Sequence, residues 1–176
     1  MSGASKRVMG KYDHRKHDWL KLAVEIVIVI ILALLAFSLV VGISRVDGQS
    51  MKPTLKDSQV VTYWRLGDNY RIGDIIAIKM PNGDSYVKRV IAGPGDVIDI
   101  RDGYVYRNGQ KLTEPYIIES SDGNTMPQNS RIEYPYEVGS GCYWVMGDNR
   151  EVSMDSRSFG SVIKENIKGR LLFQDQ

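Results

Sequence analysis

Residues 22–43 form a long apolar run in which Glu25 is the single charged residue. As a helix this run would be about 33 Å long, which is enough to cross a hydrocarbon core of about 30 Å. Two alternatives are a buried core helix and a cleaved secretory signal. The run is longer than the 7–15 apolar residues that are typical of a cleaved signal, and no convincing small-x-small site follows it. The pattern therefore predicts an uncleaved transmembrane helix.

The charge distribution predicts which way this helix is oriented. Residues 1–21 carry six basic and two acidic side chains, whereas the 20 residues after Ile43 hold three basic ones. The positive-inside rule then predicts a cytoplasmic tail over 1–21 and an extracytoplasmic domain over 44–176, on a single-pass protein of the cell membrane. That domain carries 17 basic and 18 acidic residues. It lacks the basic excess of a nucleic-acid-binding protein.

The chain after the apolar run alternates short β-rich segments with turn signals, which predicts a mainly β domain. The hairpin with an Asn108-Gly109 turn opens a small insertion over about 104–140, which we expect to be irregular from 115 onward. The predicted strands cover 59–65, 74–80, 85–92, 96–100, the 104–112 hairpin, 142–147 and 167–173.

The positions of the histidines restrict the chemistry that this domain can perform. Both of them, His14 and His17, precede the apolar run, so neither a Ser-His-Asp nor a Cys-His site can form beyond it. The same absence disfavours zinc, and no loop spacing favours another metal or a cofactor. Cys142, the single cysteine, is interpreted as a small apolar strand residue, with a reactive thiol as the alternative. If the domain hydrolyses amides, a hydroxyl nucleophile with a Lys, Asp, Glu or Tyr base is expected.

A lysine acts as a base only when its amine is neutral, and burial in apolar surroundings favours the neutral form. At the ordinary pKa near 10.4, about one lysine in 2,500 is neutral at pH 7. Lys88 lies inside the β-rich run Y-V-K-R-V-I, where alternation places it on the face of Tyr86 and Val90. It is a candidate base, although a lysine that protects an edge strand from aggregation is an equal interpretation.

Four ordered segments of the chain resemble the conserved boxes of bacterial type I signal peptidases. They are G-Q-S-M-K-P-T at 48–54, R-I-G-D-I-I at 71–76, Y-V-K-R-V-I-A-G-P-G-D at 86–96 and G-D-N-R-E-V-S-M-D-S-R at 147–157. The tail over 159–170 also fits the family. The resemblance extends over the whole chain, including the apolar run, and implies a membrane-bound serine endopeptidase with a β-rich catalytic domain.

The resemblance also implies a role for each matching residue. Ser50 would attack the scissile carbonyl, Lys88 would accept its proton, and Ser153 would orient the lysine amine. Asp155 and Arg157 would brace the third box against the lysine strand. The remaining supporting residues of that box would be Asp148, Asn149 and Arg150.

The substrate implied by the resemblance is the signal peptide of an exported preprotein, cut after a small-x-small motif. Ser50 follows the apolar run by seven residues, which reach at most about 25 Å, so the site would stay near the lipid bilayer. The substrate would bind as an added β-strand. The secretion machinery is a further candidate partner. The implied pocket walls are Val46, Met51, Leu55, Tyr86 and Val87.

Gly48 departs from the pattern of family members that carry a serine two residues before the nucleophile. The hydroxyl of that serine helps to form the oxyanion hole, and one such donor is worth about 3–4 kcal/mol in the transition state. The departure leaves open a second function, that of an inactive membrane-anchored β module that binds exported chains. A self-cleaving Ser-Lys protease of the phage-repressor kind is disfavoured by the apolar run.

Overall fold

The computed structural model describes residues 6–46, 48–67 and 69–172, and it divides the chain into two compact units at Val40/Val41. The first unit contains one helix, α1 (Lys6–Val40). The second unit contains eleven short strands, a single-turn helix α2 (Ser156–Phe159) and two 3-10 turns among its described residues. The prediction of a mainly β domain after one apolar helix is confirmed.

Helix α1 includes a stretch, Asp18–Val40, that is long and apolar enough to cross a membrane. The apolar run predicted a helix to residue 43, but the helix ends at Val40 and residues 41–43 belong to a strand. The reason is local pairing, because Val41 pairs with Trp64 and Gly42 lies against the ring of Tyr63. Hydropathy does not distinguish the last turn of an apolar helix from the first residues of an apolar strand.

A seven-stranded sheet forms the larger part of the second unit, in the order β1-β2-β11-β3-β4-β9-β10. All of its neighbouring strands are antiparallel. Its strands are β1 (Val41–Arg45), β2 (Val60–Trp64), β3 (Ile75–Lys79), β4 (Ser85–Ala92), β9 (Cys142–Met146), β10 (Val162–Ile163) and β11 (Ile167–Leu171).

Alternate residues of β3 pack into two different cores, one on each face of this sheet. Ile75 and Ala77 lie in a core with Met51, whereas Ile76 and Ile78 lie in a core with Val145. Because successive side chains of a strand point to opposite faces, a strand that is covered on both faces has to be apolar throughout. This explains why the four consecutive residues 75–78 of β3 are all apolar.

A second sheet of four strands, in the order β7-β6-β5-β8, contains much of the predicted insertion. Its strands are β5 (Val97–Arg101), β6 (Tyr104–Arg107), β7 (Gln110–Lys111) and β8 (Tyr136–Glu137). The start of the insertion is therefore regular, and the segment between β7 and β8 consists largely of turns and one 3-10 turn. A third core, which includes Ile91, Ile98 and Trp144, joins this sheet to the ends of β4 and β9.

Strand β4 is paired along its two edges over different lengths. On one edge it pairs with β3 from Ser85 to Arg89. On the other edge its pairing with β9 begins only at Arg89. Among the described residues, no strand pairs with that second edge over 85–88. This open edge contains Lys88.

Candidate active site

Ser50 lies in the turn segment that connects β1 to β2. Its carbonyl oxygen accepts a hydrogen bond from the Asn149 N–H at 3.0 Å, and the Leu55 N–H donates to the Met51 carbonyl at 2.8 Å. The neighbouring Met51 side chain is fully buried in the core below the turn. The turn is thus held by an apolar anchor and by the third motif box, and Ser50 itself remains partly exposed.

Lys88 extends from the open edge of β4 toward Ser50. Its Nζ lies 2.8 Å from Ser50 Oγ and 3.1 Å from the Val87 carbonyl oxygen, to which it donates. The residue is only 4% exposed, and Nζ lies 5.3 Å from the centre of the Tyr86 ring. A nucleophile and a base within 2.6–3.2 Å of each other have the geometry that proton transfer needs.

The surroundings of Lys88 lower its pKa from 10.5 to about 8. Burial is the main cause because it penalises the charged ammonium, and Arg157 lowers the pKa further, whereas Asp155 and Asp148 raise it. Neither carboxylate forms an ion pair with Lys88 among the described residues. At pH 7 a pKa near 8 leaves about one amine in ten neutral, against about one in 3,000 at the ordinary value.

Asp148 connects the third box to the strand that carries the lysine. Its carboxylate accepts two hydrogen bonds from Arg89, from Nε at 2.8 Å and from Nη2 at 2.7 Å, and a third from the Thr54 hydroxyl. Arg89 also donates to the Gly73 carbonyl at 3.0 Å. One buried ion pair thus joins the turn that carries Ser50, the segment before β3, the strand that carries Lys88 and the third box.

Asp155 and Arg157 form a second buried ion pair inside the third box. Nε and Nη2 of Arg157 donate to the two Asp155 oxygens at 2.8 Å each, and the Gly147 N–H donates to the same carboxylate at 3.1 Å. Arg157 Nη2 also donates to the Arg150 carbonyl at 2.8 Å. The bracing role of Asp155 and Arg157 stays a prediction, and the direct contact between this box and the strand that carries Lys88 is made by Asp148 and Arg89.

Arg150 connects the same box to the insertion. Its Nη1 donates to Glu114 Oε2 at 3.1 Å and to the Thr125 hydroxyl at 3.2 Å, and its backbone N–H donates to the Ser121 hydroxyl at 3.0 Å. Residues of the insertion therefore hold the third box in place through their hydrogen bonds to Arg150.

Ser153 is 2% exposed, and its Oγ has no hydrogen-bond partner in the described part of the chain. The expected hydrogen bond to Lys88 is thus not formed in this structure. The hydroxyl nevertheless lies beside Ser50, since a side chain added at Gly147 would meet both Ser153 Oγ and the Ser50 carbonyl oxygen. Buried hydroxyls without a partner are rare and point to a missing interaction.

A cleft of about 460 Å³ opens in front of Ser50 and Lys88. One wall contains Tyr86 and Val87 of β4, and the other contains the segment around Gly48. The full lining is Arg45, Val46, Gly48, Gln49, Ser50, Ser85, Tyr86, Val87, Lys88, Val152 and Met154.

Gly48 brings no side-chain donor to the turn that carries Ser50. The φ angle of Gly48 is +90°, a backbone conformation that residues with a side chain rarely adopt. Its N–H donates a hydrogen bond to Asp57 Oδ1 at 2.7 Å. The Ser50 N–H donates to no acceptor within the described residues. The Ser50 N–H is therefore a backbone donor that this turn leaves available.

Comparison with known proteins identifies the family. The family model described as signal peptidase, peptidase S26, matches residues 19–174. This chain belongs to that family. Signal peptidase I of Bacillus licheniformis is 36% identical over 166 residues, covering 89% of this chain and 86% of the relative. Signal peptidase IB of Staphylococcus aureus is 30% identical over 172 residues, covering 90% of each chain. Family membership makes the chain a serine endopeptidase.

A solved structure from the same family also matches this chain. It is the crystal structure of a signal peptidase I from Enterococcus faecalis, which is 32% identical in sequence. The match covers 58% of this chain and 97% of that one, with a TM-score of 0.47.

The predicted pocket residues divide into two groups in the structure. Val46, Tyr86 and Val87 line the cleft, whereas Met51 and Leu55 are core residues with 0% and 4% exposure that do not line it. Both lie in a turn whose apolar side chains point into the core, and the structure does not bring them to the surface of this cleft. Sequence reasoning missed Val152 and Met154, which are exposed apolar residues in an otherwise polar box.

The structure of the described residues contains no group of three or more His, Cys, Asp and Glu that could hold a metal ion. His14 and His17 belong to the part of α1 whose side chains lie outside the described residues. Cys142 begins β9 and packs, partly buried, against the core of the second sheet.

Proposed function

We propose that this protein is a membrane-anchored signal peptidase that removes signal peptides from exported preproteins, with Ser50 as nucleophile and Lys88 as general base. The observation that carries the proposal is the 2.8 Å approach of Lys88 Nζ to Ser50 Oγ in a buried site. The same burial lowers the lysine pKa to about 8, so the amine is available as a base near neutral pH.

The reaction follows from these two groups. The neutral amine accepts the proton of the Ser50 hydroxyl while Oγ attacks the scissile carbonyl. The oxyanion that forms accepts a hydrogen bond from the Ser50 backbone N–H. The Lys88 ammonium then gives its proton to the leaving amine, which releases the mature protein and leaves an acyl-enzyme. A water molecule attacks the acyl group while the restored amine takes one of its protons. The bond between the acyl carbon and Ser50 Oγ then breaks, and the Lys88 ammonium returns the proton to Oγ, which releases the signal peptide as a carboxylic acid.

The number of hydrogen bonds that a neutral amine can form suggests that Ser153 orients Lys88. Such an amine has two N–H donors and one lone pair. Val87 accepts one N–H at 3.1 Å, and the lone pair has to face Ser50. Ser153 Oγ, which is buried and unpartnered among the described residues, is the acceptor for the second N–H once its side chain rotates. All three contacts together would fix the direction of the lone pair.

The open edge of β4 is the place where the substrate would bind. Over 85–88 this strand presents backbone groups to the cleft, because its pairing with β9 begins only at Arg89. An extended peptide added there would gain main-chain hydrogen bonds and would place alternate side chains against Val46, Tyr86 and Val87. A shallow cleft with these walls favours small residues before the cut, as in a small-x-small motif.

The apolar stretch Asp18–Val40 would anchor the enzyme in the lipid bilayer with its basic tail in the cytoplasm. A signal peptide also carries an apolar segment that enters the bilayer. Holding enzyme and substrate in one membrane raises their effective concentration relative to free diffusion.

The test is cleavage of a preprotein by the full chain in detergent. We expect Ser50→Ala and Lys88→Ala each to lose at least about 10⁴-fold in kcat/KM, with Lys79→Ala on the exposed surface as the matched control. Near-full activity of either variant would show that the pair is not catalytic. In addition, kcat/KM of the wild type should rise with pH through about 8, because the base works only when deprotonated.

An inactive module that binds exported chains would bind the preprotein without any turnover by the wild type. The approach of Ser50 to Lys88 argues against that alternative, because a binding module has no need for a buried amine next to a hydroxyl.

A further inference from the structure

The segment from Val46 to Gln59 connects β1 to β2 and carries the nucleophile near its middle. At its base the strand ladder continues for one more step, since the Val46 N–H donates to Gln59 at 2.9 Å and the Ser58 N–H donates to Val46 at 2.8 Å. At its far end the Ser50 carbonyl is held by the Asn149 N–H at 3.0 Å. The stretch between these two anchors has to be fixed by other contacts.

Asp57 supplies a contact in that stretch. Its Oδ1 accepts the Gly48 N–H at 2.7 Å, a distance typical of a hydrogen bond to an ionised carboxylate. Gly48 is a residue that needs such a restraint, because it has φ of +90° and no side chain that would limit its backbone conformation. The carboxylate thus restrains the one glycine that lies two residues before the nucleophile.

The direction of the Ser50 N–H is set by the contacts of its own peptide unit and of the backbone on either side. The unit lies between Gln49 and Ser50, and its carbonyl oxygen accepts a hydrogen bond from the Lys52 N–H at 3.1 Å. The backbone before it is held at Gly48 by Asp57, and the backbone after it is held at the Ser50 carbonyl by Asn149. The donor has to lie 2.7–3.1 Å from the position of the oxyanion. Because Gly48 brings no hydroxyl, the aim of this backbone donor matters more than it would in a hole with a serine at that position.

We propose that Asp57 is a positioning residue for catalysis, which aims the Ser50 N–H at the oxyanion by holding Gly48. The inference rests on the proposed role of Ser50. Asp57 touches neither Ser50 nor Lys88 in the structure, and it acts through the backbone of the turn. An exposed carboxylate that merely stabilises the loop would change the stability of the fold instead.

The test compares Asp57→Ala and Asp57→Asn with the wild type, as full chains in detergent cleaving a preprotein. We expect Asp57→Ala to lower kcat about 10-fold with KM within two-fold, because the aim of the donor matters in the transition state. Asp57→Asn keeps a carbonyl oxygen for the Gly48 N–H and should restore kcat to within three-fold. Lys56→Ala, on the same exposed turn, is the matched control. A thermal unfolding midpoint within a few degrees of the wild type would show that Asp57→Ala folds.

Three results would overturn the inference. They are an Asp57→Ala enzyme with kcat within two-fold of the wild type, a loss that appears only in KM, and an Asp57→Asn enzyme as slow as Asp57→Ala. If Asp57→Ala fails to fold, the Asn variant alone decides, and a 10-fold loss of kcat in that variant would contradict the proposal. A Ser50→Ala enzyme assayed alongside separates the two proposals, because activity in that variant would refute the nucleophile itself.

Discussion

Basic side chains are buried both at the cleft that contains Lys88 and in the ion pairs of the neighbouring third box, but only the arginines of the ion pairs contact a carboxylate. Arg89, Arg150 and Arg157 each donate to a carboxylate, and these pairs lie within the same few strands and turns as Lys88. Lys88 is 4% exposed and faces a hydroxyl and a carbonyl instead. A buried cation that has a carboxylate partner keeps its charge, whereas one that lacks a partner lowers its pKa.

This difference gives the arginines and the lysine different roles in the site. The paired guanidiniums hold the nucleophile turn, the lysine strand and the third box together through fixed charges. The unpaired amine remains free to exchange a proton near neutral pH. Each region could be converted toward the other by one substitution, and the following predictions use such changes, beginning with the largest expected effect.

Lys88→Arg replaces the titrating amine with a guanidinium, which stays charged at all relevant pH values. We expect a loss of at least about 10⁴-fold in kcat/KM for preprotein cleavage, at every pH from 6 to 10. The matched control is Lys79→Arg, an exposed lysine on the adjacent strand, which should keep full activity. A Lys88→Arg enzyme that regained activity at high pH would contradict the requirement for a neutral base.

Asp148→Asn leaves Arg89 buried without a counter-charge. Breaking one partner of a buried pair typically costs about 3–5 kcal/mol, and we expect the free energy of unfolding to fall by that amount. Chemical unfolding in detergent measures it. Asp84→Asn, in an exposed turn, is the control and should change stability by less than about 0.5 kcal/mol. A similarly small change for Asp148→Asn would mean that the pair contributes little.

Lys88→Met removes the penalty for a buried ammonium. In the folded wild type the pKa of Lys88 is about 8, against 10.5 in the unfolded chain. The penalty for burying the ammonium is therefore present in full below pH 8, and it is lost as the pH rises to 10.5. The stability of the wild type should therefore rise by about 3 kcal/mol relative to the variant across this interval. Unfolding curves between pH 7 and 10.5 measure the difference. The same comparison with Lys79→Met should show no such trend.

Ser153→Ala tests whether the buried hydroxyl orients the amine. We expect kcat/KM to fall about 10- to 100-fold while stability stays constant or rises slightly, because an unpaired buried hydroxyl contributes nothing to the fold. Ser153→Thr keeps the hydroxyl and should recover part of the activity. Unchanged activity in the alanine variant would leave Val87 and Ser50 as the groups that orient the lysine.

The sequence predicted most of the strands because their apolar runs are bounded by turn residues, as for β3 and β4. It did not predict β1, since the apolar residues 41–43 continue the hydropathy of the helix before them. The two-residue strands β8 and β10 are too short to show any periodicity. Their existence depends on pairing with distant segments, which local patterns do not record.

The same limit applies to the site. The motif boxes predicted Ser50 and Lys88, and the structure brings their reactive atoms to 2.8 Å. The sequence did not predict the ion pair of Arg89 with Asp148, because the two residues are 59 positions apart and only the fold brings them together. Met51 and Leu55 were placed on the pocket wall because the boxes give the order of residues, whereas the direction of a side chain depends on how the turn packs.

Lys88 and Arg89 are neighbours on one strand that face opposite sides of the sheet, one toward Ser50 and the other toward Asp148. A slip of β4 by a single residue in one direction would move Arg89 into the position of Lys88 and would place a permanent cation where the proposed base belongs. The pairing of β4 with β3 therefore decides whether a lysine or an arginine lies beside Ser50. Substitutions in the apolar face that locks this register could abolish catalysis without altering any residue of the site.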